Sequence, residues 1–282
     1  MKKKTYLKRI VIYLILLIVI ALATVYIWSA VILNKTYDIP LSEVHIPNDT
    51  ASIQEGERLV HIAHCSDCHG EHFTGAVFAK EAHVVELVAP NITRVIPTYS
   101  NAELERLLRH GVKKNGHSVY EMPADMFSQL KEESIGKMIA YFRTLRPLPD
   151  TLHNVATNFQ CLGRLILIQG KITPIADLIK FNAPRLYIPH DTSQISFGKY
   201  LAMTTCTSCH GENLKGEEEF TPDLVIAATY TKEDFFKLIR TGVALGDRKL
   251  GLMTKIATNN LKYLNDNEIN SIYAYLETKP TQ

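Results

Sequence analysis

The sequence carries little net charge, and its one concentration of charge lies at the start. The formal charge is +2 at pH 7, yet the first nine residues hold five basic side chains and no acid. The remaining residues hold 26 basic against 29 acidic side chains, a balance of −3. A chain without a basic field lacks what a phosphate backbone requires, so nucleic acid is excluded as a partner.

Cysteine is scarce. There are five cysteines, and four of them fall in two copies of one motif, Cys65-Ser66-Asp67-Cys68-His69-Gly70 and Cys206-Thr207-Ser208-Cys209-His210-Gly211. Cys-x-x-Cys-His is typical of covalent haem c attachment, because cysteines three positions apart share a helical face and the histidine can ligate the iron. A zinc site would need another ligand pair nearby, and a redox Cys-x-x-Cys needs no following histidine. The motifs therefore predict two covalently bound haem c groups.

Charged residues are absent from the 24 positions between Ile10 and Leu33. As a helix this run would measure about 36 Å, enough to cross a hydrocarbon core of about 30 Å. Tyr26 and Trp28, the single tryptophan, suit the membrane interface at its far end. A cleaved signal peptide would have a shorter apolar core followed by a small-x-small site. We therefore expect an uncleaved anchor with the basic start in the cytoplasm and the haem motifs in an oxidising compartment.

The two motifs stand at the same place in two repeated units. Leu107-Leu108-Arg109-His110-Gly111-Val112 matches Leu238-Ile239-Arg240-Thr241-Gly242-Val243. Pro90 lies 21 residues before Gly111, and Pro222 lies 20 before Gly242. From motif histidine to proline, however, the first unit has 21 residues and the second has 12, so the first carries an insertion. The repeat predicts two tandem haem domains.

Methionine is scarce enough for the repeat to indicate the second axial ligand of each iron. A thioether opposite histidine is common in electron-transferring c haems and raises the potential. Met253 is the only methionine after the second motif and lies 11 residues beyond Gly242. Met122 lies 11 residues beyond Gly111, whereas Met126 lies 15 beyond it. We therefore predict His69 with Met122 and His210 with Met253.

Other candidate ligands are weaker, and no catalytic residue is predicted. Five histidines of the first unit have no counterpart in the second and are interpreted as solvated or packed side chains: His64, His72, His83, His110 and His117. Cys161 precedes an apolar stretch and is interpreted as a small buried hydrophobe.

Taken together, these pieces resemble the membrane-anchored diheme members of the c-type cytochromes, similar to the cytochrome subunits of periplasmic alcohol and gluconate dehydrogenases. The resemblance covers about residues 56–148 and 195–277. Besides the attachment motifs, it rests on Ala89-Pro90-Asn91-Ile92-Thr93, Met122-Pro123, Ala140-Tyr141-Phe142-Arg143, Gly198-Lys199-Tyr200-Leu201 and Tyr273-Ala274-Tyr275-Leu276.

The resemblance implies an all-α fold in which each unit is a small helical cytochrome c domain. The first and last helices would cross where a glycine meets an aromatic residue, Gly56 with Tyr141 and Gly198 with Tyr275. Pro90 and Pro222 would orient the motif histidines through their backbone carbonyls. Two departures stand out: the resembled subunits commonly carry three haems where this sequence has two motifs, and Met253-Thr254 replaces Met-Pro.

The expected organisation places two tandem cytochrome c domains behind a single N-terminal transmembrane helix. Its parts are a basic start and anchor (1–34), a tether (35–52), domain 1 (53–149), an apolar connector expected to pack between the domains (150–192), and domain 2 (193–282). The chain would sit in the inner membrane as a single-pass protein with its haem domains on the periplasmic side.

The predicted function is electron transfer from a periplasmic donor, a dehydrogenase or quinol-oxidising complex, to a soluble cytochrome or terminal oxidase. The chain would be an electron carrier and not an enzyme. The alternative is a diheme peroxidase, which needs an open iron position, or a thiosulfate-oxidising haem enzyme with an unusual ligand such as Cys161. Methionines at the same offset in both units favour the electron carrier.

Overall fold

The computed structural model describes residues 2–150, 152, 155–179, 193–218 and 220–279. Within these residues the chain forms a long N-terminal helix followed by two helical domains, and strands form only a three-stranded and a two-stranded sheet. The all-α prediction is confirmed, with these sheets as minor additions. The second part of the predicted connector, residues 180–192, lies outside the described residues.

The N-terminal helix, α1, spans Lys2–Leu33. Its stretch Tyr6–Leu33 is long and apolar enough to cross a membrane. The apolar side chains along it are exposed, which is unfavourable in water and fits a lipid environment.

Domain 1 is built around the crossing of its first and last long helices, α2 (Thr50–Ile62) and α7 (Glu132–Thr144). A Cβ added to Gly56 of α2 would lie 2.0 Å from the Lys137 carbonyl oxygen of α7 and 3.1 Å from Cβ of Tyr141, so only glycine permits this approach. The expected crossing is confirmed. The elements of domain 1 are α2 (Thr50–Ile62), α3 (Cys65–His69), β1 (Ala76–Glu81), β2 (Val85–Ala89), α4 (Ile92–Val95), α5 (Asn101–His110), α6 (Ala124–Phe127) and α7 (Glu132–Thr144).

The segment after domain 1 adds three short elements, which are β3 (Asn158–Phe159), α8 (Cys161–Ile168) and α9 (Ile175–Leu178). Domain 2 then repeats the helical crossing with α10 (Gln194–Thr205) and α14 (Asp266–Glu277). A Cβ on Gly198 would lie 1.8 Å from the Ser271 carbonyl oxygen and 3.0 Å from Cβ of Tyr275, as expected. The elements of domain 2 are α10 (Gln194–Thr205), α11 (Thr207–His210), α12 (Lys232–Thr241), β4 (Val243–Ala244), β5 (Arg248–Lys249), α13 (Leu252–Asn259) and α14 (Asp266–Glu277).

The middle helices of the two domains, α5 and α12, end in the same way. Gly111 and Gly242 terminate them in the left-handed conformation, with φ of 62° and 70°. Arg109 then donates to the carbonyls of Ser128 and Leu130, at 3.1 and 2.8 Å. Arg240 in domain 2 likewise donates to the carbonyls of Lys262 and Leu264, which precede the last helix. The repeat inferred from the sequence is therefore a structural repeat.

The insertion in the first unit is a β-hairpin. β1 and β2 pair in antiparallel fashion between His69 and Pro90, and β3 adds a third strand on the far side of β2. The spacing predicted an insertion, but nothing in it predicted strands.

The described part of the connector packs on domain 1 and on α1, and packing of the whole connector between the domains stays a prediction. β3 pairs with the domain 1 hairpin, α8 packs on the end of α1, and α9 packs on α6 of domain 1. Gly163 of α8 approaches so closely that an added Cβ would lie 2.1 Å from the Val84 carbonyl oxygen. The buried-cysteine interpretation is wrong, because Cys161 begins α8 on its exposed side.

The predicted tether lies against domain 1. The Tyr37 amide donates to the Gly116 carbonyl at 2.9 Å, and Lys35 pairs with Asp177 of α9 at 2.5 Å. Val44 is buried in the domain 1 core. The tether and α9 therefore hold domain 1 directly to the anchor.

Candidate haem sites

The two attachment motifs adopt the same local structure. Cys65 and Cys68 share the single helical turn α3, which ends at His69. In domain 2, Cys206 caps α11, which ends at His210. All four motif cysteines are free of disulfide bonds.

The motif histidines are oriented as the resemblance implied. Nδ1 of His69 lies 2.8 Å from the Pro90 carbonyl oxygen, and Nδ1 of His210 lies 2.9 Å from that of Pro222. Because a carbonyl oxygen only accepts, Nδ1 carries the proton and donates it, which leaves the Nε2 lone pair for a metal. Burial lowers the pKa of His69, opposed by its bond to Pro90, so the neutral form required of a ligand is favoured.

The loop after each histidine is also repeated, and the sequence reasoning missed it. The His69 carbonyl accepts from the Gly75 amide, and the His210 carbonyl accepts from the Gly216 amide, both at 2.9 Å. Both glycines have positive φ, 87° and 81°. The signal was present in the sequence as a second glycine five residues after Gly70 and Gly211.

The same loop positions the two prolines. Phe73 and Leu214 are buried at equivalent places, four residues after the motif histidines. The Phe73 carbonyl accepts from the Ile92 amide, and the Leu214 carbonyl accepts from the Leu224 amide, both at 2.9 Å. Each donor lies two positions after the proline. These bonds fix the proline segment beside the histidine in each domain. The nine extra residues of the hairpin therefore leave the histidine–proline bond unchanged.

The thiols are unsuited to redox exchange. Burial raises the pKa of Cys65 and of Cys206 to about 12, and burial also raises the pKa of Cys68. Disulfide oxidoreductases need a lowered thiol pKa, because the thiolate is the nucleophile. Among the described residues, no group of three or more histidine, cysteine or acidic side chains is arranged to hold a metal ion, which also disfavours a zinc site.

The predicted methionines occupy loop and helix-start positions beside each core. Met122 is partly buried against the domain 1 core and lies two residues before α6, whereas Met126 and Met138 lie within that core at 3% and 1% exposure. Met253 lies in the first turn of α13, partly buried against the domain 2 core. Because Met126 and Met138 serve core packing, their positions agree with the choice of Met122 as the axial ligand of domain 1. Axial ligation by Met122 and Met253 stays a prediction.

Thr254 has a structural role that explains the departure from Met-Pro. Its hydroxyl donates to the Gly242 carbonyl at 2.7 Å and accepts from the Leu250 amide at 2.8 Å. These two bonds tie the start of α13, and Met253 with it, to the end of α12. A proline at this position could make neither bond.

Four of the five histidines set aside in the sequence are exposed or held by other groups of the protein. His72 and His83 are exposed, His64 pairs with Asp67 at 3.1 Å, and Nδ1 of His117 lies 3.3 Å from the Lys35 carbonyl. Cys161, the candidate ligand of the thiosulfate-oxidising alternative, is exposed at the start of α8, which contacts α1 and the hairpin.

The domains meet next to the first attachment motif. Asn260, which ends α13, is fully buried and donates to the His61 carbonyl at 3.0 Å and to Asp67 at 3.3 Å. The ring of Tyr263 stacks on His61 with centroids 4.5 Å apart. The helix that carries Met253 in its first turn therefore ends beside the motif of the other domain.

A second set of contacts closes the same interface. Arg58 of α2 donates to both carboxylate oxygens of Glu268 in α14, at 2.8 and 2.9 Å, and to the Tyr263 carbonyl at 2.9 Å. Glu268 also accepts from the Asn265 amide at 2.7 Å, which caps α14. The Lys131 amide donates to the Tyr200 hydroxyl at 3.2 Å.

The residues present fit covalent haem c. Each domain offers two half-buried thiols in one motif, an imidazole held through Nδ1, and a partly buried thioether packed against the same core. Together with the helical crossings, these features define a cytochrome c domain. The comparison with protein families agrees: residues 53–146 and 195–279 match the cytochrome c family, and the chain belongs to it. Covalently bound haem c is the cofactor this family implies.

Particular relatives are cytochrome subunits of dehydrogenases. The chain is 24% identical over 262 residues to the fructose dehydrogenase cytochrome subunit of Gluconobacter japonicus, covering 82% of this chain and 53% of the relative. It is 22% identical over 273 residues to the alcohol dehydrogenase (quinone) cytochrome c subunit of Gluconacetobacter polyoxogenes, covering 82% and 57%. It is also 22% identical over 273 residues to the gluconate 2-dehydrogenase cytochrome c subunit of Pantoea cypripedii. That match covers 81% of this chain and 59% of the relative.

The chain spans a little over half the length of these curated relatives. The resemblance drawn from the sequence is confirmed. Each relative is named as a cytochrome subunit of a dehydrogenase, which agrees with the interpretation of this chain as an electron carrier rather than a catalytic subunit.

Proposed function

We propose that this chain is a membrane-tethered diheme cytochrome c that passes single electrons from a dehydrogenase or quinol-oxidising complex to a cytochrome or terminal oxidase. One observation carries the proposal. The same proximal arrangement, a Cys-x-x-Cys-His turn with its histidine donating to a proline carbonyl, occurs in two domains that touch beside one of the motifs.

The proposed roles follow from the side chains. The thioethers would form at four cysteines, Cys65 and Cys68 in domain 1 and Cys206 and Cys209 in domain 2. His69 and His210 would ligate the iron on the proximal side, with Met122 and Met253 opposite. The bound haem supplies a one-electron change at its iron.

The chain itself would hold the ligands and exclude water. Donation from Nδ1 to Pro90 or Pro222 fixes the imidazole plane and raises the basicity of Nε2. Such backbone acceptors carry no charge of their own, so they orient the ligand without adding a titrating group. The flanking helices bury the thiols, and a low-dielectric surrounding is one of the determinants of a haem potential.

Contact between the domains supports transfer from one haem to the other. The proposed ligand Met253 lies in the first turn of α13, and the helix is followed at its C-cap by Asn260, whose amide group reaches Asp67, between Cys65 and Cys68. Eight helical residues measure about 12 Å, so the proposed distal side of the second site lies close to the first attachment motif. A fixed, short separation is what a two-haem relay needs.

Membrane attachment is proposed from α1. Its length and composition suit a single span, and the five basic residues among the first nine, ahead of the uncharged run, favour a cytoplasmic start. The domains would then lie on the periplasmic side of the inner membrane. A dehydrogenase as donor is proposed from the names of the relatives, which belong to fructose, alcohol and gluconate dehydrogenases.

The test uses the full chain with its haems in detergent. Haem quantification by the pyridine haemochrome should give two haem c per chain, and the reduced protein should not bind carbon monoxide. Met122→Ala and Met253→Ala should each change the spectrum and lower the potential of one haem, whereas Met126→Leu, a matched change in the core, should alter neither. One haem per chain, or carbon monoxide bound stoichiometrically by the unaltered protein, would contradict the proposal and favour the peroxidase alternative.

A further inference from the structure

The short helix α8 has three distinct faces. Gly163 and Leu167 are buried against the hairpin and its small apolar cluster. Arg164 faces the anchor. Leu162 and Leu165, one turn apart, have side chains that are 49% and 39% exposed, while the Leu162 amide donates to the His83 carbonyl at 3.1 Å.

Arg164 fixes the position of α8 along the anchor. Its guanidinium donates to the Ser29 hydroxyl at 2.9 Å and lies 4.7 Å from the ring centre of Tyr26. Ser29 is fully buried by this contact. About 20 helical residues cross a hydrocarbon core, so a span that starts at Ile10 ends near Ser29. α8 thus lies beside the anchor at the level where the bilayer gives way to water.

Further contacts hold this placement rigidly. Ile32 and Leu33 of α1 pack in the same cluster as Phe159 and Leu167. The Lys35–Asp177 pair joins the next turn of chain to α9. The anchor, α8 and domain 1 therefore form one continuous body at this end.

From this placement we infer that α8 lies in the membrane interface, with Leu162 and Leu165 immersed in lipid next to the anchor. The occupant of the exposed face is the bilayer, because α8 packs on the end of α1, whose apolar side chains are exposed along the proposed span. Arg164 suits this depth, since its charge is paired with a hydroxyl and an aromatic face. The effect is to set the height and tilt of domain 1, and hence of its haem site, above the membrane. The inference rests on the proposed membrane anchor.

Cys161 provides the probe. In the haem-loaded chain the other four cysteines would be thioethers, which leaves Cys161 as the exposed thiol. We would attach a fluorophore to it in the full chain and reconstitute the protein in phosphatidylcholine–phosphatidylglycerol vesicles. The vesicles would contain lipid with a nitroxide quencher on the headgroup or deep in the acyl chain. Quenching by haem is common to all samples, so each signal is expressed relative to vesicles without nitroxide.

The inference predicts strong quenching by the headgroup nitroxide and weaker quenching by the deep one. The double variant Leu162→Glu with Leu165→Glu should lose most of the quenching while keeping its haem spectrum. Ile195→Glu, an equally exposed apolar residue at 48% on α10, is the matched control and should leave the quenching unchanged.

Vesicle flotation separates this inference from the proposed function. Protein that floats with vesicles but shows no quenching at Cys161 would overturn the inference and leave the anchor intact; a protein partner would then be the better occupant. Equal loss of quenching in the Ile195→Glu control would also overturn it. Protein that fails to float would overturn the anchor and this inference together.

Discussion

The contact between Arg58 and Glu268 allows a quantitative test of how the two domains are joined. Glu268 is 7% exposed and serves both the cap of α14 and the interdomain ion pair. Replacing it with glutamine keeps an oxygen for the Asn265 amide, since glutamine is accepted at this capping position. It removes the charge that faces Arg58. The change therefore isolates the contribution of the interface from that of the cap.

The expected cost follows from the geometry. Hydrogen bonds to a charged group contribute about 1.5–3 kcal/mol, and Arg58 keeps its other partner, Glu55, at 2.8 Å. We expect Glu268→Gln to lower the free energy of unfolding by about 2 kcal/mol, roughly a thirtyfold change in the unfolding equilibrium. Glu268→Ala, which also removes the cap, should cost about 1 kcal/mol more.

Glu103 is the matched control. It occupies the same capping position in α5, with Ser100 as its partner. Its nearest cation is the exposed Lys114, whose Nζ lies 3.7 Å away. An exposed pair contributes about 0–1 kcal/mol, so Glu103→Gln should cost about 0.5 kcal/mol or less.

Guanidinium unfolding of the haem-loaded full chain in detergent, followed by far-ultraviolet circular dichroism and the haem Soret band, measures these costs. A double-mutant cycle with Arg58→Met should give a coupling energy of about 1.5 kcal/mol or more. Equal costs for Glu268→Gln and Glu103→Gln, or a coupling energy near zero, would refute the view that this ion pair joins the domains.

Three further predictions concern single sites. Thr254→Val should remove both hydrogen bonds of the hydroxyl and lower the free energy of unfolding by about 1–2 kcal/mol. It should also lower the potential of the second haem alone in potentiometric titration, while Thr254→Ser should keep the potential of the unaltered protein. Thiol titration of the folded holoprotein should find one reactive thiol per chain, and none in Cys161→Ser; a second reactive thiol would show an incomplete attachment motif. Gly198→Ala should prevent close packing of α10 on α14 and destabilise domain 2 by several kcal/mol in thermal unfolding, because its Cβ would lie 1.8 Å from a carbonyl oxygen. Gly170→Ala, at φ 72° in open space, should cost only about 1 kcal/mol.

Much of the haem chemistry could be predicted because it depends on short-range spacing. Cys65, Cys68 and His69 fall on one turn because of their spacing alone. Gly111 and Gly242 stand at equivalent positions and indicate a helix end, because each ends its helix with a positive φ. The family resemblance supplied the crossings at Gly56 and Gly198, and the structure confirms both.

The failures concern segments whose environment is set from far along the chain. β1 and β2 pair mainly with each other, and β3, some 70 residues further on, joins β2 at Val85 and Glu86. Nothing in the local sequence predicts that third strand. Cys161 was expected inside a core because its neighbours are apolar. Those neighbours instead face the anchor, the hairpin and, as we infer, the membrane.

By itself, the sequence determined two haem attachment motifs, their repeat, an apolar anchor and membership of the cytochrome c class, since each depends on residue identity at short spacing. Only the tertiary structure decided that Asn260 reaches Asp67, that Arg58 binds Glu268 and that α8 lies against the anchor. Those contacts join residues more than 130 positions apart, and they form because helix packing buries apolar faces and brings unrelated polar groups within hydrogen-bonding distance. Spacing along the chain therefore specifies the proposed attachment motifs, and packing specifies how the two motifs are held relative to each other and to α1.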